Sequence, residues 1–222
     1  QIIDGMNSLV AAILVSLLVI PLNYFVAHGF NRKPAYAALS TFITIVLIGL
    51  FATWIVSIAK LTGFTSDEAG FLQQLTNGAV NTRDLLLAGI IVGTLGILDD
   101  ITISQTSIAN ELKSAKEKID FNELFTRTIR IGRDHIASLV NTLILVYTST
   151  SLPLLILLKQ SESDLLTTLN REVVMEELII MLITSIALII AVPISTYISC
   201  FFIQKYGAEK VDDGHGHHHH HH

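Results

Sequence analysis

The stretch GTLGILDDITISQ, residues 93–105, places two adjacent carboxylates, Asp99 and Asp100, inside an apolar run that opens near Leu85. The reading of that run decides the fold. Residues 85–107 are long enough for a helix to cross a bilayer, which takes roughly 20 residues. Four further runs match it, at 8–27, 36–60, 135–158 and 173–202. None alternates with the period of a strand, and only helices and closed barrels satisfy their backbone in lipid. The sequence therefore predicts an all-α integral membrane protein, a bundle of about five transmembrane helices in a single domain over residues 1–206.

Composition agrees. Of 222 residues, 51% are hydrophobic and 15% charged, too little polar surface to cover a soluble domain of this make-up. The formal charge of −5 offers nothing to nucleic acid. The single cysteine, Cys200, excludes an internal disulfide and has no metal-site spacing, and no cofactor or metal is expected. Residues 207–222 read as a flexible tail ending in a His-tag, His217 to His222, and Gln1 at the start reads as the cut end of an excised fragment.

Loop charges give an orientation. Arg32 and Lys33 follow the first run, Lys113, Lys116, Lys118, Arg127, Arg130 and Arg133 follow the third, and Lys205 and Lys210 follow the fifth. The other two connections carry Asp67, Glu68, Glu162, Asp164 and Glu172 with few basic residues. Basic loops stay inside, so the fragment's N-terminus is expected outside and its C-terminus in the cytoplasm, across the cell membrane. Residues 108–134 are expected to form a cytoplasmic amphipathic helical hairpin on the inner surface, with arms at 107–118 and 122–131.

At helical spacing, Gly89, Gly93, Gly96, Asp100, Ser104 and Ser107 fall on one stripe of the third helix. Its upper part is a small-residue face for helix packing, with Gly89 and Gly93 as a GxxxG. Asp99 lies about 22 Å along the helix from Asp84 at 1.5 Å per residue, approaching the inner interface. Ionised groups at such depth normally face a bundle interior or a water-filled cavity. The fourth helix opens with IGRDHIASLVNTL, residues 131–143, where Asp134 and His135 precede a polar stripe of Ser138, Asn141 and Thr142. Asp99, Asp100, Asp134 and His135 are the candidate ion- or proton-binding groups, because imidazole and tuned carboxylates exchange protons near neutrality. Ser104, Ser138, Asn141 and Thr142 are candidate neutral ligands along a pathway. Taken alone, His135 also reads as an interfacial histidine and Asp134 as a helix cap. Glu172, Glu176 and Glu177 suit the outer N-terminus of the fifth helix. Pro21, Pro153 and Pro193 are expected to kink their helices.

The ordered segments GTLGILDDITISQTSIANEL, IGRDHIASLVNTLILVYTSTSLPLL and EELIIMLITSIALIIAVPIST, with HGFNRKPAYAALSTF before them, resemble the YibE/F family of multi-pass membrane proteins over nearly the whole chain. The resemblance implies further helices ahead of this part, a place as its C-terminal half, and a transporter or permease label. A fainter likeness is to SecD/SecF-type, RND-like permeases.

Two functions are open on these residues. One is a proton- or cation-coupled secondary transporter or permease, which expects the polar groups to line a cavity between the third and fourth helices. The other is a non-transporting scaffold, which expects a dry interface built by the glycine and polar stripes. Enzyme chemistry is not expected: no nucleotide, zinc-protease or hydrolase motif is present, and the aspartates match neither prenyl-transfer nor intramembrane-protease spacing. The partners expected are the bilayer, the missing N-terminal helices of the same protein and a second copy of the chain.

Overall fold

The computed structural model describes residues 32–65, 67–160 and 165–208. The first apolar run, with Pro21, lies outside them. The described residues are helical and contain no strand: α1 (Arg32–Ile58), α2 (Asp67–Leu75), α3 (Thr82–Ala115), α4 (Phe121–Gln160), α5 (Leu165–Leu169) and α6 (Glu172–Tyr206). Four of them, α1, α3, α4 and α6, are long and apolar enough to cross a membrane, matching the second to fifth runs. The short α2 and α5 fall in segments read only as loops.

Local chemistry sets the ends. Pro34 sits in the first turn of α1, where a missing N–H costs nothing. At its far end Lys60 turns left-handed (φ 54°), and the Leu61 N–H closes on Val56 O at 3.2 Å. Asn81 caps α3, its side chain accepting from the Arg83 N–H at 3.0 Å, with Asp84 in the first turn. Glu172, in the first turn of α6, accepts from the backbone N–H and hydroxyl of Thr62. The Thr82 hydroxyl donates to Thr62 O at 2.7 Å, so one turn ties together the ends of α1, α3 and α6. Gly63 makes that turn possible: its φ is +69°, and a Cβ there would stand 2.5 Å from Thr82 O.

The expected membrane-surface hairpin takes a different form. Its arms are not separate helices but the continuous ends of α3 and α4, joined by a turn at residues 116–120. No Gly or Pro interrupts residues 107–131, so each helix simply propagates. Several apolar residues in and between the arms are used inside the protein. Ile119 and Leu124 are buried with Ala109, Cys200 and Ile203, and Leu112 and Phe125 pack around them. At Pro193 the observed α6 continues through the proline.

Helices α1, α3 and α6 pack on one another, while α4 packs chiefly on α6 and less on α3. Without a hydrophobic drive in lipid, close packing is what holds such helices together. Small residues line the contacts. On α6, Ala187, Ala191, Ser195 and Ser199 recur every fourth residue and are all fully buried. On α1, Ala37, Ser40, Thr41 and Thr44 share one face and are likewise fully buried. Large apolar side chains point outward, as lipid allows, with Leu50 68% and Trp54 58% exposed.

Candidate functional site

The half of the bundle nearer the 116–120 turn holds a buried layer of hydroxyl and amide groups. The Thr41 and Thr102 hydroxyls pair at 2.7 Å, joining α1 to α3. The Thr106 and Ser199 hydroxyls pair at 2.7 Å, joining α3 to α6. Thr196 donates to Gln105 Oε1 at 3.1 Å, while Gln105 Nε2 is buried without a hydrogen-bond partner. Gly132 of α4 closes the layer: a Cβ there would stand 2.7 Å from both polar atoms of the Gln105 amide and 2.8 Å from Val192 Cγ1. Sequence reasoning assigned no role to Gln105, Gly132, Thr41, Thr196 or Ser199. Two signals were present, an amide in mid-span and the four-residue spacing of Ala and Ser in α6.

These contacts also set the register. Gln105 meets Thr196, Thr106 meets Ser199, and Lys113 Nζ donates to Gln204 Oε1 at 2.9 Å, so α3 and α6 run parallel with an offset of 91–93 residues. That offset carries Asp99 and Asp100 to the level of residues 190–193, midway along the charge-free part of α6, residues 178–204. The carboxylates therefore sit deeper than a count from Asp84 alone implies. Gly132 against Val192 brings Asp134 and His135 to the same depth from α4. Asp99, Asp100, Asp134 and His135 thus share one level, with the exposed Arg133 beside them.

Among the described residues they do not share one enclosed cavity. Asp99 is half-buried, with its Oδ1 shielded from solvent, and its backbone carbonyl accepts from the Thr102 hydroxyl at 3.3 Å. Asp100, Asp134 and His135 are exposed on the outer faces of α3 and α4, and so are Ser138, Asn141 and Thr142; Ser104 is half-buried. The Thr142 hydroxyl turns back to Ser138 O at 3.0 Å. What α4 presents to the core is its apolar side, Ile136, Leu139, Val140 and Leu143. The glycine stripe is likewise outward: at Gly89, Gly93 and Gly96 an added Cβ meets nothing within 4 Å. Among the described helices, close approach is made through the Ala/Ser ladder of α6 instead.

Among the described residues no group of three or more His, Cys, Asp or Glu side chains is placed to hold a metal ion. At the opposite end, Glu177 lines a small, mostly apolar recess with Tyr147, Leu178 and Met181.

No curated protein and no solved structure matches the chain. The sequence model of the YibE/F-like protein family matches residues 1–205. The chain belongs to the YibE/F-like family of membrane proteins.

Proposed function

We propose that this chain is part of a proton- or cation-coupled secondary transporter or permease, in which Asp99, Asp100, Asp134 and His135 carry the coupling charge. One observation carries the reading: these four residues stand at one depth, opposite the middle of the charge-free stretch of α6. A charge facing lipid at that depth costs on the order of 3 kcal/mol or more, and ionisable groups kept there mark ion and proton paths. Ser104, Ser138, Asn141 and Thr142 supply neutral oxygens beside them, and the buried layer around Gln105 braces α3 against α6. The reading includes no covalent chemistry. It places the N-terminal side of α3 outside the cell membrane and the 116–120 turn in the cytoplasm, following the basic residues of that turn.

A scaffold function is favoured by a different observation, the open glycine face of α3, which suits a further helix of the same protein or of a second copy. Ligand-linked stability separates the two. The protein in detergent is melted across pH and across a series of cations, beside Asp99→Asn, Asp100→Asn and His135→Gln. A bound ion at a hundred times its Kd stabilises by about 2.7 kcal/mol. The transport reading expects a rise of several degrees in Tm with one cation or over one pH interval, lost in at least one variant. An identical response in all four proteins contradicts it and favours the scaffold.

A further inference from the structure

Where α3 and α4 meet the 116–120 turn, they leave an open groove of about 780 Å³. Its walls combine two kinds of chemistry. Leu112 and Ile131 are apolar, and Ile131 is 45% exposed. Arg127, Arg130 and Thr126 bring two guanidinium groups and a hydroxyl along one side of α4, all exposed. Glu123 is the only acid in the lining, and it is already neutralised: Lys116 Nζ lies 2.7 Å from one of its oxygens and Arg127 Nη2 lies 2.6 Å from the other. Arg130 has no such partner among the described residues.

The level of the groove follows from its neighbours. The Lys113 ammonium and the Gln204 amide both donate to Ile119 O, at 3.3 Å and 3.2 Å, so the turn is fastened beside the C-terminus of α6. That end carries an aromatic belt. Tyr36 stacks on Phe202 at 4.9 Å, Phe202 on Tyr206 at 6.2 Å, and Phe121 meets Tyr197 edge-on at 5.8 Å. Lys205 lies over the Tyr206 ring. Aromatic and basic residues gathered this way mark the depth of lipid headgroups.

We propose that this groove binds the phosphate-bearing headgroup of an anionic phospholipid. Arg130 provides the charged fork, Arg127 shares its donors between Glu123 and the phosphate, and the acyl chains run down past Ile131. Guanidinium groups match phosphate oxygens in paired hydrogen bonds, and basic pockets between helices at the membrane surface hold such headgroups. The site does not depend on the transport reading.

The test is binding of short-chain phosphatidylglycerol to the detergent-purified protein, beside phosphatidylcholine of the same chain length and inorganic phosphate. Wild type is expected to prefer phosphatidylglycerol over both. Arg130→Gln is expected to weaken binding roughly tenfold, the loss of one charge-assisted contact. Glu123→Gln is expected to tighten it, since Lys116 and Arg127 are released toward the phosphate; a folding defect cannot produce that direction. Arg83→Gln, at the other end of the bundle, is expected to leave it unchanged. Equal binding of phosphatidylcholine, or unchanged affinity in Arg130→Gln, overturns the site. Inorganic phosphate binding as tightly as the lipid overturns the assignment to a headgroup.

Discussion

At Gly132 an added methyl would stand 2.7 Å from the Gln105 amide and 2.8 Å from Val192 Cγ1, inside a packed layer. At Gly93 it would meet nothing within 4 Å. The two glycines of neighbouring motifs therefore have opposite duties, and substitution separates them. Gly132→Ala is expected to destabilise by about 1–3 kcal/mol through overpacking. Gly93→Ala is expected to be neutral or to gain up to ~1 kcal/mol from helix propensity. Cys200, the chain's one cysteine, is fully buried, so a thiol-reactive dye reports unfolding for both. Equal melting of the two variants contradicts the placement of α4. In the sequence the two residues look alike, because a glycine's neighbours across the bundle leave no mark beside it in the chain. The Gln105 amide was visible as a polar residue in mid-span, but its partner Thr196 is 91 residues away.

At the scale of the element, period and length were enough to find the four long described helices, because a span has to satisfy its backbone internally. Where they end was less legible. The arms of the presumed surface hairpin carry a helix-forming pattern that does not say whether the helix restarts or continues. Packing of Ile119 and Leu124 beneath α6 decides that it continues. The packing faces were less legible as well: among the described residues the glycines of α3 stand open, while contacts between the described helices are made by Ala187, Ala191, Ser195 and Ser199. Both stripes repeat every three or four residues, and only the opposing helix distinguishes them. A double-mutant cycle on Thr106→Ala and Ser199→Ala tests the α3–α6 contact directly. Their 2.7 Å hydroxyl pair is expected to show a coupling of about 0.5–1 kcal/mol in thermal or denaturant unfolding, with each single variant destabilising. Coupling near zero contradicts the register from which the depth of Asp99 is drawn.

For the whole molecule, α4 is the helix that remains unexplained by packing alone. Its apolar side meets α6, and its other side shows Asp134, His135, Ser138, Asn141 and Thr142 at the depth where α6 is purely apolar. Asp100 stands on the outer face of α3 at the same depth. Lipid against both faces would leave several polar groups in hydrocarbon, so water or a further polar surface is required there. The sequence announced the ionisable residues and their helices, but not which way each stripe turns. That choice is made by the apolar residues opposite. The transport reading requires water, and single cysteines placed in a Cys200→Ser background measure it. Asp100→Cys and Ser138→Cys, reconstituted in vesicles, are treated with a charged, membrane-impermeant thiol reagent beside Leu50→Cys on the exposed apolar side of α1. The account predicts that both α3 and α4 positions label readily while Leu50→Cys does not. Labelling of Asp100→Cys and Ser138→Cys as slow as that of Leu50→Cys would contradict a hydrated path and leave the charged level as a dry packing surface.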